Sequence, residues 1–158
     1  MEDGGRSGKA LRMERLIRTY FDGCNEADVE KMVSCFTPDA VHYFPPDMYD
    51  GPWRGARLIA EKWVGAVEKL GSYWHIDRMV VDERRDEAVI EWAHFKTKQG
   101  VTLRGAEWYE FDPESGLISE LRAYYASPQA PDLQKFELGG MDYEGRGYAL
   151  APPRGARD

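Results

Sequence analysis

Apolar residues in the first part of the chain recur with the period of a helix. Met13, Leu16, Ile17, Tyr20, Phe21 and Cys24 follow the spacing i, i+3, i+4, i+7, i+8, i+11 and predict an amphipathic helix over 9–24. Asn25 can cap a second short helix, with Asp28 supporting its first turn and Val29, Met32, Val33 and Phe36 on its buried face. Thr37-Pro38-Asp39 ends that helix, because proline cannot continue the hydrogen-bond ladder. Residues 40–44 read as a short strand. Pro45, Pro46, Gly51, Pro52 and Gly55 then make a loop that carries Met48, Tyr49 and Trp53. A third helix follows over about 56–71, with Ile59, Trp63, Ala66, Val67 and Leu70 on one face and Gly71 as its stop.

Beyond Gly71 the period changes from that of a helix to that of a strand. Four strands are predicted, roughly 73–82, 87–97, 101–112 and 117–126. Their connections carry turn residues: Glu83-Arg84-Arg85-Asp86, Lys98-Gln99-Gly100 and Asp112-Pro113-Glu114-Ser115-Gly116. Helices first and hairpin-linked strands afterwards define an α+β fold. The expected shape is a cone: a curved antiparallel sheet wrapped around the N-terminal helices, enclosing a pocket. Residues 1–8 are expected to be disordered, 9–127 to form the domain, and 128–158 to form a Gly/Pro-rich C-terminal arm. Phe136, Tyr143 and Tyr148 punctuate that arm, which is either a mobile tail or a strap over a pocket mouth or a neighbouring subunit.

Strand alternation sorts the polar candidates. Ile90, Trp92 and His94 share one face; so do Leu103, Gly105, Glu107, Tyr109 and Phe111; so do Leu121, Ala123 and Tyr125. A carboxylate such as Glu107 in an otherwise neutral row is costly to desolvate unless it is paired or protonated. Trp108 and Tyr124 fall on the opposite face, where they can pair across strands or meet a second subunit.

Composition narrows the function classes. A chain of 158 residues is one domain by length, and five Trp with nine Tyr exceed what a plain core needs. A net charge of −7 argues against nucleic acid as a partner. No apolar run approaches a membrane span or a signal peptide, so no membrane partner and a cytoplasmic setting are expected. Cys24 and Cys35 lie on predicted helix faces and read as buried free thiols. Cys-x-x-Cys, His-Glu-x-x-His and a Gly-rich phosphate loop are all missing, so neither a metal nor a cofactor is expected.

The order helix, helix, strand, loop-helix and four strands resembles the nuclear transport factor 2-like superfamily, with its SnoaL-like cyclases and ketosteroid isomerases, a cystatin-like fold. The marks are Phe36-Thr37-Pro38-Asp39-Ala40-Val41, Trp53-Arg54-Gly55, and Tyr109-Glu110-Phe111-Asp112 before Gly116-Leu117-Ile118. The resemblance covers about residues 9–127. It implies a pocket inside the cone and places the Ile90, Trp92 and His94 face within it. Against the isomerase pattern, the first-helix tyrosine falls on Tyr20, the strand acid on Glu107, and the carboxylate base on Phe44. Against the scytalone dehydratase pattern, the strand histidine falls on His75 and its orienting acid on Asn25. The two carboxylates of limonene epoxide hydrolases have no counterpart at Arg104-Gly105-Ala106 or Arg122-Ala123. The resemblance also implies a homodimer.

Two functions are compatible with these residues. The first is a cofactor-free acid–base enzyme, a lyase or isomerase of dehydratase, isomerase or cyclase type, acting on a small, partly apolar cyclic molecule. Tyr20 and a protonated Glu107 would then donate to an oxyanion, and His94 or His75 would be the base. Asn25, His42, Phe44, Trp53, Trp63, Trp92, Tyr109 and Tyr125 would contact the substrate. The second is a binding module that holds a hydrophobic ligand without chemistry, a reading that Phe44 and Asn25 at the expected acid positions favour.

Overall fold

The computed structural model describes residues 7–125, 138–142 and 144–147. Helix α1 spans Gly8–Glu26, with Ser7 as N-cap accepting from the Ala10 amide. Its buried stripe is the one the sequence spacing predicts: Met13, Ile17, Tyr20, Phe21 and Cys24. The helix runs two residues past the expected end, so Asn25 lies inside it and does not cap its successor. Ala27 closes α1 in the left-handed conformation, and Asp28 caps the short helix α2, Val29–Val33.

Strand β1, Phe36–Tyr43, begins earlier than expected and takes Phe36 out of the second helix. Pro38 falls where the pairing register of β1 slips, between Phe36 and Val41, so its missing N–H interrupts no regular ladder. A two-residue strand β2, Trp53–Arg54, leads into helix α3, Ala56–Leu70, which Gly71 ends at φ 63°. The remaining strands are β3, Ser72–Asp82; β4, Glu87–Lys96; β5, Val101–Phe111; and β6, Ile118–Tyr124.

All six strands form one sheet in the order β2-β1-β6-β5-β4-β3. The meander β3 to β6 is antiparallel, as the hairpin turns require, while β1 joins β6 in parallel. Helix α1 packs on β3, and α3 on β1 and α2. Ile17, Met32, Ile59, Ile90, Ile118 and Leu121 fill the space between helices and sheet. A second, smaller cluster lies on the other side of β1, where Leu138 and Met141 cover Tyr43 and Val41. The amide of Gly139 donates to the carbonyl of Phe44 over 3.0 Å. This stretch of the C-terminal arm therefore packs behind β1. Phe136, Tyr143 and Tyr148 lie outside the described residues. Among the described residues no helix is long and apolar enough to cross a membrane.

Candidate functional site

The helices and the sheet leave a pocket lined mainly by aromatic rings. Tyr20, Phe21 and Cys24 come from α1, Trp63 from α3, His42 and Phe44 from β1 and the residue after it, and Trp74 from β3. Trp92, His94 and Lys96 come from β4, Leu103 and Glu107 from β5, and Ala123 and Tyr125 from β6 and its end. The alternation of β4 and β5 accounts for the inward series on each strand. Met48, Tyr49, Lys96, Leu103 and Tyr125 are the more exposed of the lining residues and ring the mouth. The space measures about 500 Å³ with its open mouth, but only about 30 Å³ is wide enough for water. That is room for about one or two waters. A ring-sized ligand therefore enters only if mouth side chains such as Met48 and Tyr49 swing aside.

Glu107 is the centre of the site. It is 6% exposed, and among the described residues its Oε1 has no hydrogen-bond partner. Burial pushes its carboxyl up to about 7 from an ordinary 4.5, with the neighbouring Tyr109 hydroxyl drawing it the other way. That hydroxyl does not reach hydrogen-bond geometry and is itself without a partner. Opposite lies His42, whose Nε2 is 3.9 Å from Glu107 Oε1. His42 Nδ1 sits 3.2 Å from the Tyr43 carbonyl. A carbonyl only accepts, so Nδ1 carries the proton and Nε2 presents a bare lone pair to Glu107. Burial lowers the imidazole to about 3, so it stays neutral at physiological pH. Stacking at 4.0 Å on Phe44 fixes the ring plane. Trp92 Nε1 is a further buried donor without a partner. Gly105 is what lets the Trp92 ring lie there: a Cβ at that position would come within 2.7 Å of it.

Tyr20 holds the other side. Trp63 Nε1 donates to its hydroxyl oxygen over 2.6 Å, and the phenol's own proton is directed towards the Cys24 sulfur. Burial first, then the nearby Cys24 and Glu107, raise its pKa well above the ordinary value, so Tyr20 remains a phenol. His94 stacks on Trp74 at 4.5 Å and shares a 2.8 Å hydrogen bond with Ser72 Oγ. Burial and then the charge of Lys96 lower its pKa to about 4.

The sequence-derived candidates thus divide. Tyr20, His42, Phe44, Trp63, Trp92, His94, Glu107 and Tyr125 line the pocket, and Tyr109 places its hydroxyl beside Glu107. His75 does not: its side chain is 61% exposed, near Asp77 on the outer face, because β3 turns Ser72 and Trp74 inward. Asn25 is also outside the pocket. Its amide accepts from the Trp74 N–H at 2.8 Å and donates to the Trp74 carbonyl at 2.9 Å, pinning α1 to β3 like an added strand residue. Trp53 forms a second layer, packed against Phe44 and Trp63 at 4.5 and 4.7 Å. Sequence reasoning missed Lys96 and the mouth pair Met48 and Tyr49. Lys96 was accessible, since it continues the inward series Ile90, Trp92, His94. Among the described residues no group of three His, Cys, Asp or Glu side chains converges as a metal site.

Comparison with known proteins agrees with this architecture. The SnoaL-like domain model matches residues 17–121. A protein of unknown function with a cystatin-like fold from Methylobium petroleophilum PM1 is 60% identical. The match covers 92% of this chain and 95% of that one, with a TM-score of 0.87. Two more distant structures share the fold. One is an epoxide hydrolase/cyclase-like enzyme with a role in pyran ring formation in the polyether salinomycin: 15% identity, 75% and 94% coverage, TM-score 0.61. The other is a candidate polyketide cyclase from Sinorhizobium meliloti: 19% identity, 72% and 97% coverage, TM-score 0.59. Comparison with curated proteins finds no match. With its model matching most of the chain and its sheet, helices and enclosed pocket in place, this protein belongs to the SnoaL-like family.

Proposed function

We propose that this chain is a cofactor-free acid–base enzyme of the isomerase, dehydratase or cyclase type, acting on a small cyclic carbonyl compound. One observation carries the reading: a buried carboxyl, held to about 7, faces a bare imidazole nitrogen inside an aromatic pocket. A proton-transfer group works best when its pKa lies near the working pH. Glu107 meets that condition; His42 at about 3 and His94 at about 4 do not. The roles expected from the isomerase pattern are therefore exchanged. Ionised Glu107 takes the proton alpha to the substrate carbonyl, and the electron pair moves onto the carbonyl oxygen. The Tyr20 O–H, turned from Cys24, and the unspent Trp92 N–H hold that oxygen. Protonated Glu107 then returns its proton, to another carbon in an isomerisation or to a leaving hydroxyl in a dehydration. His42 Nε2, now 3.9 Å away, accepts a hydrogen bond from the protonated carboxyl once the gap closes by about 1 Å, and then keeps it oriented. The names of the salinomycin-pathway and Sinorhizobium relatives support small-molecule chemistry on this scaffold.

A panel of cyclic enones and β-hydroxy ketones tests the reading. Turnover should follow a titration with a midpoint of about 7, set by Glu107. Glu107→Gln should lower the rate by roughly 10² to 10⁴. Binding of these compounds with no turnover at any pH would place the protein among non-catalytic binding modules. The outer sheet face, where Trp108 is 37% and Tyr124 45% exposed, supports assembly as a homodimer. Sedimentation analysis giving a monomer would remove that part of the proposal.

A further inference from the structure

Among the described residues, one full positive charge lines the pocket. Lys96 ends β4, and the alternation that turns Trp92 and His94 inward turns it the same way. It stands at the mouth, half-buried, and close enough to His94 for its charge to act on that imidazole. Among the described residues its ammonium group has neither an ion pair nor a hydrogen bond. Lys9 and Lys31, by contrast, pair with Asp86 and Glu26, and Lys98 donates to the Glu68 carbonyl. The other end of the pocket carries the Tyr20 hydroxyl, the Trp92 N–H and the Glu107 carboxyl. An unpaired cation at one end and hydrogen-bond donors at the other describe a ligand with the complementary polarity.

Distance along the strand sizes that ligand. Glu107 lies opposite Ile90 in the β4–β5 ladder, with Trp92 as its diagonal neighbour. Four residues separate Trp92 from Lys96, about 13 Å of strand. A flexible lysine side chain shortens that span by several ångströms. Once Met48 and Tyr49 swing aside, two fused rings with an acid group on the far ring match that span. A single ammonium with no second cation beside it matches a monoanion better than a phosphate.

We propose that Lys96 sets the substrate class of the pocket: fused-ring ketones that carry a carboxylate at the end remote from the carbonyl. The inference rests on the acid–base reading of Glu107, which places the carbonyl at the inner end. Lys96 acts through ground-state binding and takes no part in the proton transfer.

Trp63, Trp74 and Trp92 line the pocket, so their fluorescence reports binding without any need for turnover. The probes are 1-tetralone and a tetralone carboxylic acid with its acid on the second ring. Wild type should bind the acid about tenfold more tightly than the neutral ketone, and added salt should shrink the difference. Lys96→Met should abolish the preference, read as the ratio of the two Kd values within each variant; Lys96→Arg should restore it. Equal affinity of wild type for the two probes overturns the inference, as does a preference that survives Lys96→Met. The acid–base reading fails separately if binding of the neutral ketone shows no titration near neutrality in wild type and in Glu107→Gln alike. Failure of both probes to bind overturns both.

Discussion

Glu107 on β5 and Glu120 on β6 stand on neighbouring strands of one sheet and face opposite sides. They are almost equally buried, at 6% and 8% exposure. Their chemistry is nonetheless opposed. Glu120 is gripped by Arg122 and Arg146, with Arg146 Nη1 at 3.0 Å, and Arg122 also reaches Glu110 at 2.7 Å. Burial alone would raise the Glu120 carboxyl, but the two guanidiniums hold it below its ordinary value. Among the described residues Glu107 has no cation and no hydrogen-bond partner on Oε1, and burial raises it to about 7. Exposure does not separate the two acids; partners do. On the outer face Glu120 is paired with both Arg122 and Arg146, which links the sheet to the arm. On the inner face the protein leaves Glu107, His42, Tyr109 and Trp92 with unspent hydrogen-bonding capacity, which is what a ligand can use.

The largest contrast is expected in turnover. Glu107→Gln should cost roughly 10² to 10⁴ in rate, whereas Glu120→Gln should leave the rate within about threefold, as expected for a charge cluster on the far face. A comparable loss from both would erase the distinction.

Stability should move the other way, and its pH dependence follows in sign from the pKa directions. Glu107 has a raised folded pKa, about 7 against 4.5. The folded state then holds the extra proton between those values, so stability is full below 4.5 and falls as pH rises through 7. The loss amounts to about 3 kcal/mol at alkaline pH. His42 and His94 act oppositely: lowered to about 3 and about 4 from 6.5, they cost stability as pH falls below 6.5. Urea unfolding of Glu107→Gln at pH 8.5 should show a gain of about 2–3 kcal/mol over wild type, shrinking to nothing below about pH 4. Glu120→Gln should instead lose about 2 kcal/mol at neutral pH, because two arginines lose a charged acceptor. A loss from Glu107→Gln at alkaline pH would contradict the neutral-site account.

Much of this contrast was legible in the sequence. Alternation on β5 sets Glu107 in an apolar row, and alternation on β6 sets Glu120 and Arg122 on the other side. The stripe of α1 and the four strands follow from period alone, within one or two residues at most ends. Three things were not legible. The hydrogen bonds that remove Asn25 from the pocket join residues far apart in sequence. The inward turn of β3 was obscured by the resemblance, which put His75 in the pocket, although Tyr73, His75 and Asp77 form a polar face beside Trp74 and Ile76. His42 becomes the partner of Glu107 only because β1 pairs with β6 in parallel, a connection that hairpin logic does not generate. Local pattern reports faces; it does not report which faces meet.

Smaller effects sharpen the outer half of the comparison. Arg146 reaches Glu120 and, at 3.3 Å, the Tyr43 hydroxyl, with its guanidinium 5.4 Å from the Tyr43 ring. Arg146→Ala should cost about 1 kcal/mol, since the side chain is partly exposed. It should also speed hydrogen exchange at the Gly139 amide, which bonds to Phe44 behind the pocket. His75→Ala, on the exposed face of β3, should change neither stability by more than about 0.5 kcal/mol nor turnover.

The direct test is a carbon NMR titration of glutamate side-chain carboxyls, with Glu107→Gln and Glu120→Gln assigning the two resonances. The Glu107 signal should titrate with a midpoint of about 7 while that of Glu120 titrates below the ordinary glutamate value. A Glu107 signal that titrates near 4.5 beside the exposed glutamates would contradict the account.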